Sequence, residues 1–80
     1  MLGIIVRVAD ENTFTVNVGI NRYFTVRVDH NNIDALKKEF DVDNTQLLWN
    51  KRVVLNLKKN RVFSERNQKG KGVPCTMHSF

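Results

Sequence analysis

With one cysteine, one proline and no apolar run approaching the ~20 residues of a membrane-spanning helix, this 80-residue chain lacks the marks of several protein classes. The lone Cys75 allows no internal disulfide, which is expected of a protein kept in a reducing, cytoplasmic setting rather than a secreted one. Met1 to Arg7 has neither the basic start nor the long apolar stretch of a signal peptide, so no membrane partner is expected. Internal repeats and heptads are absent. Acidic residues are nearly missing from the second part of the chain. Through Asn50 there are five basic and seven acidic residues, but from Lys51 onward eight basic residues face only Glu65. That asymmetry, within a net charge of +5, points to an acidic partner, nucleic acid first among them. The alternative is a solvated basic face.

What remains is ordinary for one small globular domain, at 41% hydrophobic and 26% charged residues. A chain this short buries only about 60% of its unfolded surface, so its stability margin is thin. Period-two alternation dominates the first thirty residues and predicts strands with one buried face. It sets Leu2, Ile4, Val6 and Val8 on one side, with Gly3, Ile5, Arg7 and Ala9 on the other. After a polar turn at Asp10–Asn12, Phe14, Val16 and Val18 alternate with Thr13, Thr15 and Asn17. Beyond a turn at Gly19–Arg22, Phe24, Val26 and Val28 alternate with Tyr23, Thr25, Arg27 and Asp29. Three strands with short turns predict an antiparallel meander.

The period then lengthens. Ile33, Leu36 and Phe40 are spaced as one helix face, with Asn31 or Asn32 as cap and Asp34 in the first turn. Asp43–Thr45 can cap a second short turn bearing Leu47, Leu48 and Trp49, ended by Asn50 in a left-handed conformation. Alternation returns at Val53, Leu55 and Leu57. The chain then either runs on through Arg61–Phe63 or folds back at Lys59–Asn60. The expected organisation is a barrel core over residues 1–64 with a helical insertion at 32–49. A basic loop follows at 65–72, then either a closing strand or a loose tail at 73–80. The fold class is mainly β (β+α): a small five-stranded OB-type barrel with one or two short helices between strands 3 and 4, Phe40 and Trp49 helping to plug one end. An SH3-like barrel decorated with helices is the alternative.

Three segments carry a family likeness. Val6 to Val16, Phe24–Val28 with Ile33–Ala35, and Asn67–Val73 resemble three stretches of the staphylococcal-nuclease-like barrel: its opening strand–turn–strand, its arginine-bearing third strand, and the glycine-containing stretch before its last strand. The resemblance implies an OB-type fold, and it implies a degenerate site. A metal-binding aspartate is replaced by Asn12, a weaker neutral ligand. Asp34 matches the second aspartate only with two extra residues before it. The general-base position falls on Lys37, a cation where a proton acceptor is needed. Of the two phosphate-facing arginines Arg27 persists, while the other becomes Lys71, which keeps charge without the bidentate fork. No catalytic residue is therefore assigned, and the expectation is a protein that is not an enzyme.

Other chemistry is thin. Cys75-x-x-His78, with His30 elsewhere, supplies too few ligands for zinc, and nothing orients the pair as a nucleophile. Gly70-x-Gly72 lacks the spacing and Lys-Ser/Thr end of a Walker loop, and Asp41–Asn44 lacks the glycine and closing glutamate of a calcium loop. No metal and no cofactor are expected. The outward face of strands 2 and 3 presents Thr13, Thr15, Asn17, Tyr23, Thr25 and Arg27, with Arg7 alongside, the kind of surface on which OB-type barrels hold single strands. Tyr23 is either a stacking platform or a cross-strand cover for Ile5. Candidate nucleic-acid contacts are Arg7, Tyr23, Arg27, Lys51, Arg52, Lys58, Lys59, Arg61, Arg66, Lys69 and Lys71. They predict salt-dependent, weakly sequence-specific binding, to single strands more than to duplexes. The alternative is a protein-binding adaptor or inhibitor that docks on an acidic protein surface.

Overall fold

In the computed structural model, which describes all 80 residues, the chain is mainly β with one short α-helix. Strands β1 (Leu2–Asp10), β2 (Thr13–Gly19) and β3 (Arg22–Arg27) form the expected meander. A 3-10 turn at His30–Asn32 leads into α1 (Ile33–Phe40), and a second one spans Thr45–Leu48. Then come β4 (Arg52–Asn56), β5 (Arg61–Ser64), a third 3-10 turn at Glu65–Asn67, β6 (Val73–Pro74) and β7 (Thr76–Ser79). All pairings are antiparallel in one sheet ordered β6-β5-β4-β1-β2-β3-β7. Seven strands stand where five were expected, for two reasons. The chain folds back after Asn56, with Asn60 in a left-handed turn conformation (φ 53°), so β4 and β5 form a hairpin. The segment after Gly72 is extended but divided by Cys75, pairing with β5 before it and with β3 after it.

The inner face of β1 differs from simple alternation. Ile5 pairs with Val16 and Arg7 with Thr15, so Val6 is an extra, unpaired residue. Such a bulge reverses which parity faces inward. Gly3 and Ile5 are buried before it and Val8 packs on the core after it, while Leu2, Ile4 and Val6 stand exposed. Gly3 lets β1 lie close on β2: a Cβ there would come 2.5 Å from Val16 Cγ1 and 2.8 Å from the Asn17 carbonyl oxygen.

The core combines Phe14, Val16, Val26 and Val28 of the meander region with Val53, Leu55 and Val62 of the β4–β5 hairpin, and Leu36, Phe40 and Leu48 cover it from the helical segment. Full burial of such side chains contributes about 1.5–3 kcal/mol each. Trp49 does not join them; it is 64% exposed, because the 3-10 turn aims Leu48 inward and its neighbour outward. Asn32 occupies the N-cap position of α1, as expected, though not through its side chain. It makes no side-chain cap bond, and Asp29 instead accepts the Asn31 amide at 2.9 Å, one turn earlier. Asn44 does cap the second turn, accepting from the Gln46 amide at 2.9 Å, and Asn50 is left-handed (φ 69°). No helix is long and apolar enough to cross a membrane.

Candidate nucleic-acid interface

Strand register places side chains in rows across the outer face of β1, β2, β3 and β7. Arg7 lies opposite Thr15, Thr15 opposite Thr25, and Thr25 opposite His78. On one side of that row Asn17 faces Tyr23, and the Phe80 amide donates to the Tyr23 carbonyl at 3.3 Å. On the other side run Asp10, Thr13, Arg27 and Thr76. Because Phe14, Val16 and Val26 take the alternate positions inward, these rows share the opposite face.

Two aromatic rings stack there. Tyr23 and Phe80 have centroids 5.8 Å apart with planes inclined by 15°. Half-buried Tyr23 therefore does not cover Ile5, which is wholly buried on the inner side. Phe80 keeps most of its surface in solvent, leaving a ring available to a further planar group. At the far end of β3, exposed Arg27 borders a groove of about 640 Å³ with Asp29, Asn31, Asn32, Pro74, Cys75 and Thr76. Arg27 also lies near Asp10. The Asp10 carboxyl is held below its ordinary value chiefly by the Asn12 backbone amide, against slight desolvation, with smaller help from Thr13 and the Arg27 charge.

Of the eleven expected contacts, this face gathers Arg7, Tyr23 and Arg27. The other eight lie elsewhere. Lys51, Arg52 and Arg66 border a mixed-charge groove of about 630 Å³ that also holds Glu39, Asp41 and Glu65. Arg52 reaches Glu65 at 3.9 Å. Lys58 and Lys59 occupy the β4–β5 connection, and Arg61 of β5 donates from Nη1 to the Lys71 carbonyl at 3.3 Å. Lys69 and Lys71 sit in the 65–72 loop. Sequence reasoning missed Phe80 and His78, whose two-residue spacing from Thr76 was the available signal.

The positions implied by the nuclease-like resemblance serve other ends. Asn12 is 7% exposed, and its carboxamide donates to the Val28 carbonyl at 2.8 Å while its own carbonyl accepts the Val28 amide at 2.9 Å. It fastens the β1–β2 turn to the chain leaving β3. Lys37 pairs with the exposed Asp34 at 3.5 Å, one helical turn away. Gly72 has φ +70°, and a Cβ there would meet the Phe63 ring at 2.7 Å, so this glycine answers a packing need. Cys75 points inward and His78 outward, so they share no site. Burial pushes the Cys75 thiol up to about 11, against a small opposing effect of Arg61. Nowhere do three His, Cys, Asp or Glu side chains converge as metal ligands would. Compared with family models, curated proteins and solved structures, the chain matched none.

Proposed function

We propose that this protein is a non-enzymatic nucleic-acid-binding domain that holds a single strand against the outer face of β2, β3 and β7. The observation that carries the reading is the stacked Tyr23–Phe80 pair set among Arg7, Arg27 and His78 on one sheet face. Aromatics accept unpaired bases face to face, and guanidinium groups neutralise the phosphates between them. Tyr23 and Arg27 are four residues apart on β3, a span of about 13 Å, long enough for an extended strand to be held at two points. Threonine and asparagine side chains between them offer hydrogen bonds that suit any base.

The architecture supports the same reading. Residues 73–79 pair with β5 at one end and β3 at the other, so the sheet can be taken as closing on itself into an OB-type barrel of the nuclease-like kind. Catalysis forms no part of the proposal, since Asn12 and Lys37 occupy the positions where carboxylates would be needed. The eight cations beyond Asn50 add a long-range field that speeds encounter rather than direct contacts. A buried, unpaired thiol suits a reducing compartment, which we take to be the cytoplasm.

Fluorescence anisotropy with a labelled single-stranded oligonucleotide at low salt tests this. Tyr23→Ala or Phe80→Ala should weaken binding by roughly 5- to 150-fold, the equivalent of about 1–3 kcal/mol per stacked base. Arg27→Ala should flatten the salt dependence by about 0.7 of a unit of slope, the contribution of one phosphate contact on a single strand. Absence of binding at micromolar protein, or binding indifferent to both aromatic variants, would end the proposal.

A further inference from the structure

We propose that the outer face of β1, β4 and β5 is a docking surface for an acidic amphipathic segment of another protein. Register builds this surface as clearly as it builds the first. Leu2 lies opposite Val54, and Val54 opposite Phe63, giving an apolar stripe across three strands. Each flank carries an arginine. Arg52 stands beside Ile4 on one side, where it also borders the mixed-charge groove of Glu39, Asp41 and Glu65, and Arg61 stands beside Asn56 on the other. Lys58 lines the groove of about 380 Å³ formed with Met1, Val54, Leu57 and Phe63.

The chain itself shows how such a face is meant to be covered. Phe63 points outward yet is 9% exposed, because Gly72 packs over its ring and Gln68 closes the groove beside it. That cover stops at Phe63. Met1, Leu2, Ile4 and Leu57 carry the apolar surface on into solvent, with Leu2 54% exposed. A contiguous exposed patch of this kind on a small domain marks an interaction site.

Charge selects the occupant. Lys58 takes part in no ion pair, and Arg52 has only the long contact to Glu65. A partner with apolar anchors between carboxylates would satisfy stripe and flanks together. Three strands span about 10 Å across the stripe. That matches the rise from i to i+7 along a helix, so anchors at i, i+3 or i+4 and i+7 would fill it. A second copy of this chain fits poorly, because a two-fold contact sets each flanking arginine against its own copy or its like in a protein of net charge +5. A nucleic acid strand would find no exposed aromatic on this stripe, since Phe63 is covered.

The test is to pan a displayed library of random peptides of about fourteen residues, an ordinary helix length, on the full chain. The comparison protein is the double variant Leu2→Ser/Leu57→Ser, in which both altered residues are exposed, and an unchanged melting curve shows that its fold survives. The expected result is enrichment of peptides with apolar residues at helical spacing among Asp and Glu. Their binding should fall at least tenfold in the double variant and again in Arg52→Glu/Lys58→Glu. Enrichment of basic or uncharged peptides, no enrichment, or affinity unmoved by the double variant would overturn the proposal. So would a concentration-dependent dimer, or capture on phosphatidylserine vesicles, that the double variant abolishes, and so would displacement of bound peptide by an oligonucleotide. The outcome does not depend on the single-strand reading, which concerns Tyr23, Phe80 and Arg27.

Discussion

Replacing Asn12 by aspartate asks whether this position is a clamp or a relic metal ligand, because the change restores the residue that the nuclease-like resemblance implies. In the structure the Asn12 carboxamide is buried and donates to the Val28 carbonyl at 2.8 Å. An ionised aspartate cannot donate. Its oxygen would face a carbonyl oxygen, losing a hydrogen bond of about 1 kcal/mol and leaving a buried acceptor unpaired at about 1–3 kcal/mol more. Asp10, whose carboxylate already accepts the residue-12 amide at 3.0 Å, adds a nearby like charge. We therefore expect Asn12→Asp to cost about 2–4 kcal/mol at neutral pH. For a domain of this size each kcal/mol shifts Tm by about 4–8 °C, so the loss is large against a typical stability of about 4–12 kcal/mol. The effect has a sign in pH. Burial and Asp10 both raise the folded-state value of the new carboxyl, so the folded state holds its proton more tightly than the unfolded one. Stability should then fall as pH rises through the carboxylate range and recover towards acid, where the protonated group donates to Val28 again. Asn12→Ala, with no group to titrate, should show no such recovery. Thermal melts of both variants across pH, with and without calcium, decide the matter. Full stability of Asn12→Asp at neutral pH, stability that declines further towards acid, or rescue by calcium would refute the clamp.

Gly72→Ala should lower stability by about 1–3 kcal/mol, since the left-handed backbone and the Phe63 ring both oppose a Cβ, and a denaturant titration would show it. Cys75 should resist alkylation in the native protein and react rapidly in denaturant. Its raised folded-state value, about 11 against 9.0, also means that stability drops as pH climbs through that interval, a drop that Cys75→Ser should remove. Asp10 behaves oppositely. Its lowered carboxyl supports the fold above the ordinary value of 3.8 and loses that support as pH falls further, so the stability difference between wild type and Asp10→Asn should shrink in acid melts.

Strands β2 and β3 were legible because each hides one face, so alternation in the sequence is alternation in space. β1 was not, because the bulge at Val6 inverts its parity midway and no residue type announces a bulge there. Helix α1 showed itself through Ile33, Leu36 and Phe40, whereas Trp49 misled, since a large apolar side chain beside a buried one looks like core in a linear string. The candidate site divides along the same line. Arg7, Tyr23 and Arg27 share a face because two-residue spacing is a local property. The clustering of positive charge after Asn50 is a property of the linear chain. The sheet order carries β4 and β5 to the other side of β1, away from Tyr23, so a run of cations in sequence became a set divided among a mixed-charge groove, the β4–β5 turn and the 65–72 loop.

The extended stretch around Cys75 has a consequence for how the molecule comes together. It is the partner of two strands at once, and the Thr76 hydroxyl reaches the Arg27 carbonyl across a separation of 49 residues. Contacts between such distant parts of a chain cannot form until the intervening loop closes, which places them late and makes folding slow for a protein of this length. Until then two strand rims stand unpaired and open to a neighbouring chain. A fluctuation that frees residues 73–79 reopens both rims together, so the hazard of aggregation is tied to the persistence of one short segment.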